Sequence, residues 1–178
     1  EDLLSTLAKD IVGSTELPWG EQSISWAAPF RRLTMKDAIA EYGKVDRAAL
    51  ESEAGIRTLA KQAHLEDADK KTAGVLLGDL FEHHAEKQLL QPTFITDYPI
   101  ELGPLTKTLA SDDRFVDRFE LFIGGMEIAN AYSELNDPIE QLGRFQAQMH
   151  EREGGNDEAM MLDQDFVTAL ELGFPPTG

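Results

Sequence analysis

Hydrophobic and polar positions follow two different periods along the chain, and the period changes from one stretch to the next. Leu3, Leu7 and Ile11 recur at helical spacing, which predicts a short amphipathic helix ending near Gly13. Residues 16–35 alternate instead between apolar and polar, as the strands of a hairpin do. Capping residues followed by apolar faces predict three further helices: residues 34–43, 46–61 and 70–90.

The second half of the chain is predicted to form most of the sheet. Three strands are expected there: residues 93–98, 118–123 and 126–135. Gly124-Gly125 supplies a two-residue turn between the last two strands. Two helices should follow: residues 137–153, ending at Gly154-Gly155, and residues 165–172. Because strands and helices are segregated, the predicted class is α+β, with an antiparallel sheet flanked by helices.

Composition excludes several classes of site. Lys and Arg number 16 against 33 Asp and Glu, and the net charge of −17 repels nucleic-acid backbones at long range, so any such contact must be local. The absence of cysteine excludes disulfides and thiolate metal sites and favours the cytoplasm. No apolar run is long enough to span a membrane, so we expect no membrane partner. P-loop and Rossmann glycine motifs are also missing.

The Gly-Gly turn allows a deduction about two glutamates. If Gly124 and Gly125 are the loop residues, Glu120 lies diagonal to Glu127 on one face of the sheet. Two carboxylates this close repel each other unless a hard cation such as Mg²⁺ lies between them, so a divalent metal site is one interpretation. In the alternative, one glutamate lies at a solvated edge or pairs with Arg118.

A second set of polar side chains continues along the same strand. Asn130, Tyr132 and Glu134 lie at two-residue spacing, separated by small residues that leave room beside them. Such a row can line a pocket for a polar cation, with Glu134 as counter-ion and Tyr132 as a wall or cation–π partner. An ordinary polar sheet face is the alternative.

Several stretches resemble the class II lysyl-tRNA synthetases. The longest runs from Asp117 to Asp137 and reads DRFELFIGGMEIANAYSELND. The resemblance covers virtually the whole chain and is weakest at residues 44–71. The other matching stretches are residues 29–35, 91–99, 157–160 and 170–178.

This resemblance implies attachment of L-lysine to tRNA(Lys) through a lysyl-adenylate, with ATP as substrate, in a cytoplasmic homodimer. It implies that residues 1–178 are part of a class II catalytic domain. Within that domain, residues 30–91 would be a mostly helical insertion, and residues 92–178 would carry the active-site strands and C-terminal helices.

The resemblance also implies roles for the two sets of polar residues. The glutamates matching Glu120 and Glu127 hold Mg²⁺ against ATP, and the side chains matching Asn130, Tyr132 and Glu134 belong to the lysine pocket. No side chain is expected to act as a covalent or proton-transfer catalyst, because the attacking lysine carboxylate is already an anion.

The two sets must then share one cavity, which strict alternation does not allow. Counted from the turn, Glu127 lies on the face of Glu120, whereas Asn130 lies on the opposite face. One extra residue reverses the parity of a strand, so we predict a β-bulge between Glu127 and Asn130, for which small Ala129 is a suitable place.

The chain also departs from the family's pattern. The arginines of the family's second and third motifs would lie before Glu1 and after Gly178, both ends look like cuts, and we expect the fragment alone to be inactive. Residues 102–107 differ from the family's usual Ser-Pro-Leu-Ala-Arg-type loop, and Tyr132 stands where many members carry Phe.

Two other functions stay open at the level of sequence. One is the related lysine ligase that modifies elongation factor P, although residues 133–137 and 175–178 fit the tRNA synthetases better. The other is a non-catalytic class II-like module that binds lysine, ATP or a partner protein.

Overall fold

The computed structural model describes residues 1–154, 156 and 159–177. Gly155, where a helix break is predicted, and the family-like residues Asp157, Glu158 and Gly178 lie outside the described residues. The strands are β1 (Glu16–Trp19), β2 (Gln22–Ser25), β3 (Arg31–Thr34), β4 (Thr93–Pro99), β5 (Thr108–Leu109), β6 (Asp112–Ile123) and β7 (Met126–Tyr132). The α-helices are α1 (Asp2–Leu7), α2 (Met35–Gly43), α3 (Glu53–Gln62), α4 (Ala73–His84), α5 (Pro138–Glu153) and α6 (Gln164–Glu171).

Helices α2 to α6 each begin at a side chain that caps the first turn. The Thr34 hydroxyl accepts a hydrogen bond from the Asp37 amide at 3.1 Å, as the sequence predicts. Asp137 caps α5 in the same way, accepting from the amide of Ile139 at 2.8 Å. These bonds satisfy backbone N–H groups that have no partner inside the helix.

The single helix predicted over residues 46–61 is wrong. A 3₁₀ turn at Arg47–Glu51 is followed by α3, and Ser52 between them is extended. The Ser52 hydroxyl accepts from the Gly55 amide at 3.2 Å. Serine therefore starts a second helix instead of continuing the first, because its side chain bonds the backbone better at a cap than inside a helix. Thr72 likewise delays the start of α4 to Ala73.

The main sheet has five strands, and β6 lies at its centre. β6 pairs with β4 on one side, and on the other side with β5 near its start and β7 near its end. β3 pairs parallel to β4, while the other pairs are antiparallel. The parallel pair arises because helices α2 to α4 form a crossover between β3 and β4. The α+β class with helices against an antiparallel sheet is confirmed, with one parallel pair.

Two apolar layers cover the sheet. Helices α2, α3 and α4 pack on the face that carries Phe122, whose ring lies 5.4 Å from that of Phe81 between centroids. On the opposite face, Leu121 and Ile123 pack against Ile24 of β2. The end of β6 is therefore buried on both faces, and Glu120 lies where the helical layer begins. In the described part of the chain, no helix is long and apolar enough to cross a membrane.

The Gly124-Gly125 turn is confirmed and is held from two sides. Both glycines have positive φ, 66° and 72°, the conformation that a two-residue hairpin turn needs. The Gly124 amide donates to the Leu90 carbonyl at 2.9 Å, and the Gly125 amide to the Leu89 carbonyl at 3.0 Å. A Cβ at Gly124 would lie 2.9 Å from the ring of Trp19.

Gly124→Ala is expected to lower the free energy of unfolding by about 1–2 kcal/mol, because an alanine is strained at positive φ and its methyl group would crowd Trp19. Gly143→Ala is the matched control, since Gly143 is exposed within α5 and a Cβ there meets no atom within 4 Å. The control should gain up to about 1 kcal/mol. Urea denaturation followed by circular dichroism measures both, and equal stabilities would contradict the assignment.

Candidate functional site

One extra residue in β7 changes its pairing with β6. Phe122 pairs with Glu127, but the next residue of β6, Leu121, pairs with Ala129. Ile128 is therefore a bulge residue with no partner of its own in the ladder. The predicted bulge is confirmed and lies one residue before the expected Ala129.

The bulge brings Asn130 to the face that already carries Glu120 and Glu127. Glu127 lies opposite Phe122, and Asn130 lies opposite Glu120. Both residues therefore lie on the face of the sheet that packs against the helices. Glu120 and Glu127 line a cavity of about 280 Å³, and Phe81 of helix α4 lines the same cavity. The two glutamates therefore share one cavity, as the turn geometry predicts.

The Glu120 carboxylate is buried and fully surrounded by donors. Its side chain is 10% exposed. Tyr98 donates its hydroxyl to Oε2 at 2.7 Å, Asn130 donates Nδ2 to Oε1 at 3.3 Å, and Arg118 forms an ion pair with Oε1. Burial raises the pKa of Glu120, and the nearby charge of Glu127 adds to this, while the bonds from Tyr98 and Arg118 act in the opposite direction. The alternative in which a glutamate pairs with Arg118 is thus found for Glu120.

The Glu127 carboxylate differs from that of Glu120 in being exposed. Among the described residues, it has no hydrogen-bond or ion-pair partner. Glu82 of α4 and Glu86 of the 3₁₀ turn that follows α4 line the same cavity, so the side of the cavity around Glu127 is acidic. This carboxylate keeps both oxygens for a ligand from outside the chain.

The donor set fits Mg²⁺ only if other molecules complete the coordination. Glu127 offers free lone pairs, whereas Glu120 already accepts at both oxygens and has little capacity left. Within the described ranges, no three His, Cys, Asp or Glu side chains are grouped so as to hold a metal ion. Protein sites for Mg²⁺ commonly supply one or two carboxylates and leave the rest to water and substrate phosphates. The pair is compatible with a site of that kind.

The three residues predicted for the substrate pocket lie in a row leading away from this cavity. Asn130 bonds to Glu120 at the cavity edge. Tyr132 pairs with Arg118 across the ladder, is 48% exposed, and borders a separate groove. Glu134 lies beyond the end of β7, bridged through its backbone to Thr106, and its Oε2 accepts from the Thr177 amide at 2.8 Å.

Two further residues, Tyr98 and Arg118, complete the site through contacts that the local sequence does not predict. Tyr98 comes from β4, 22 positions before the carboxylate that it bonds. Arg118 also donates to the Leu102 carbonyl at 2.7 Å, and its guanidinium lies 4.6 Å from the Tyr98 ring centroid. The two-residue spacing of Arg118 and Glu120 on β6 indicates a shared face, but the contacts with Tyr98 and Leu102 depend on the tertiary fold.

The chain matches a known family over its full length. The family model described as tRNA synthetases class II (D, K and N) matches residues 1–178. This chain belongs to the class II tRNA synthetases. In this synthetase chain, the bulged hairpin and its two glutamates lie within the residues that match the family. The match agrees with the resemblance found in the sequence.

Curated relatives of this synthetase chain carry a more specific name. Lysine–tRNA ligases of Listeria monocytogenes and Listeria welshimeri are 49% and 48% identical over 178 residues. The lysine–tRNA ligase of Clostridium perfringens is 45% identical over 181 residues. The chain is covered completely in each comparison but spans 36% of the length of each relative.

Tyr98→Phe is expected to lower the free energy of unfolding by about 1–3 kcal/mol, because the buried Oε2 of Glu120 loses its partner while the ring is kept. Tyr132→Phe is the control: its exposed hydroxyl has no bond within the described residues, and the change should stay within about 0.5 kcal/mol. Chemical denaturation compares the two. A Tyr98→Phe protein as stable as the control would show that this bond does not stabilise the fold.

Proposed function

We propose that this chain is the metal- and lysine-binding part of a lysyl-tRNA synthetase catalytic domain, and that the full-length protein joins L-lysine to tRNA(Lys) using ATP. The observation that supports this most is the bulge at Ile128, which places Asn130 on the face that carries Glu120 and Glu127. The names of the relatives support lysine as the amino acid.

The proposed reaction needs reactants to be positioned more than it needs protons to be moved. The lysine carboxylate attacks the α-phosphorus of ATP, the bond to the bridging oxygen breaks, and pyrophosphate leaves lysyl-adenylate behind. A ribose hydroxyl at the tRNA terminus then takes the lysyl group and releases AMP. Since the first nucleophile is already an anion, holding it in line is the main task of the protein.

The residues of the cavity and of the row that leads away from it would divide this task. Glu127, exposed and without a partner among the described residues, would bind Mg²⁺, with Glu120 as a fixed second carboxylate. When bound, the ion would neutralise charge on the phosphate oxygens. Asn130 would hold the polar part of lysine, Tyr132 would flank it, and Glu134 would face its ammonium group.

The remaining parts of the proposal concern the whole protein. Its partners would be L-lysine, ATP and tRNA(Lys), in a cytoplasmic homodimer. Because the chain spans 36% of the relatives' length, these partners are proposed for the full-length protein. Residues 30–91 would be a helical insertion beside the sheet, and residues 92–178 would supply the active-site strands.

The full-length protein is expected to catalyse lysine-dependent exchange of pyrophosphate into ATP, and Glu127→Gln should reduce this exchange at least about tenfold, because one metal-binding charge is lost. Stability should change by less than about 0.5 kcal/mol, since Glu127 is exposed and has no described partner. Glu66→Gln, exposed and likewise without a described partner, is the matched control. Unchanged exchange in Glu127→Gln at every Mg²⁺ concentration would remove the metal role.

Glu134→Gln is expected to weaken lysine recognition by about 2–4 kcal/mol, because the lysine ammonium loses its counter-ion. Discrimination against ornithine and arginine should change as well. Pyrophosphate exchange measured against the concentration of each amino acid tests this, with ATP held at saturation. Equal apparent affinity for lysine in the variant would place Glu134 outside the pocket.

A further inference from the structure

Arg118 connects three separate segments through one guanidinium group. Its Nη2 forms an ion pair with Glu120, its Nε donates to the Asn130 side-chain oxygen at 3.2 Å, and its Nη1 donates to the Leu102 carbonyl at 2.7 Å. The face of the guanidinium stacks on the Tyr98 ring at 4.6 Å. The side chain is 17% exposed. Few alternative orientations are open to a group held in this way.

The loop that anchors Arg118 is itself held along its backbone. Each carbonyl from residue 101 to residue 104 accepts a hydrogen bond from a side chain. Arg118 supplies one of these bonds, and three residues on one face of α5 supply the others. Those three are Gln148 to Glu101 (3.2 Å), Arg144 to Gly103 (3.4 Å) and Gln141 to Pro104 (3.0 Å). The Leu102 carbonyl is thus a fixed point of attachment for Arg118.

The consequence for Asn130 is that its amide is oriented before any ligand arrives. Its oxygen accepts from Arg118, and one of its two N–H groups donates to Glu120. The second N–H and one lone pair remain for a ligand, in directions that the first two bonds determine. Asn130 and Glu120 therefore cannot turn independently while Arg118 is in place.

We propose that Arg118 is a positioning residue that holds the carboxylate of Glu120 and the amide of Asn130 in one fixed arrangement, so that the metal side and the lysine side of the site are ordered together. This rests on the proposed function. Arg118 acts through these two neighbours and not by touching a reacting atom. Arginine suits this role because its planar guanidinium donates from three separate nitrogens to three acceptors, whereas all the donors of lysine lie on one nitrogen.

Arg118→Lys in the full-length protein tests this, because it keeps the charge and removes the fork. Lysine binding, measured by calorimetry without ATP or Mg²⁺, should weaken about 10- to 100-fold, by analogy with the loss of groups that orient the side chains of a metal site. The Mg²⁺ concentration for half-maximal pyrophosphate exchange should rise as well. Arg114→Lys is the control, because Arg114 also lies in β6 but is exposed and pairs with Asp112.

A double-mutant cycle separates positioning from general loss of structure. In the Asn130→Ala background, Arg118→Lys should change lysine affinity less than about twofold, because the partner through which it acts is gone. An equally large effect in both backgrounds, or unchanged lysine binding by Arg118→Lys, would overturn the inference. Calorimetric stoichiometry gives the folded fraction, and Arg118→Gln, which keeps one planar donor group, replaces the lysine variant if that variant does not fold.

The wild-type protein distinguishes this inference from the proposed function. If the wild-type protein neither binds lysine nor shows lysine-dependent exchange, the proposed function fails, and the inference fails with it. If the wild-type protein binds lysine and Arg118→Lys binds it equally well, only the inference fails.

Discussion

The bulge at Ile128 decides on which side of the sheet every later side chain of β7 lies. In a regular ladder Asn130 would lie opposite Phe119, on the face that carries Leu121 and Ile123, and it could not bond Glu120. The extra residue is tolerated because β7 pairs only with β6 in the described chain and its side chains are exposed. Pairing on one edge only leaves room for an unpaired residue without breaking a second ladder. The position of Asn130 relative to Glu120 and Glu127 depends on this local irregularity.

Much of the framework is predictable because it depends on short-range chemistry. The turn follows from two glycines that accept positive φ, and the start of α5 follows from Asp137 before a proline. The bulge is predictable only by combining two arguments. Strict alternation puts Glu127 and Asn130 on opposite faces, and the family resemblance requires them to share one face. Neither argument alone locates it, and together they place it within one residue of Ile128.

Other features could not be read from the sequence, for two physical reasons. Contacts such as Tyr98 to Glu120 join distant segments, and no local pattern marks them. Burial of polar residues also escapes a search for apolar faces: in α5 the buried positions include Gln141 and Gln148, which are fully or nearly fully covered. Their amides are buried because loop carbonyls need donors there. The sequence does not predict the helix break at Ser52, because a serine that caps a helix and a serine inside a helix look alike in a sequence.

The way in which α5 and Arg118 hold residues 101–104 has a consequence for how this segment can vary. Every bond goes to a main-chain carbonyl, and every residue type has the same carbonyl. These hydrogen bonds therefore do not depend on which side chains residues 101–104 carry. Substitutions can accumulate there while the path of the backbone is kept. Residues 102–104 belong to the segment expected to differ from the family's usual loop, and each of their three carbonyls accepts a side-chain hydrogen bond. Divergence in this loop is thus no measure of a change in its shape.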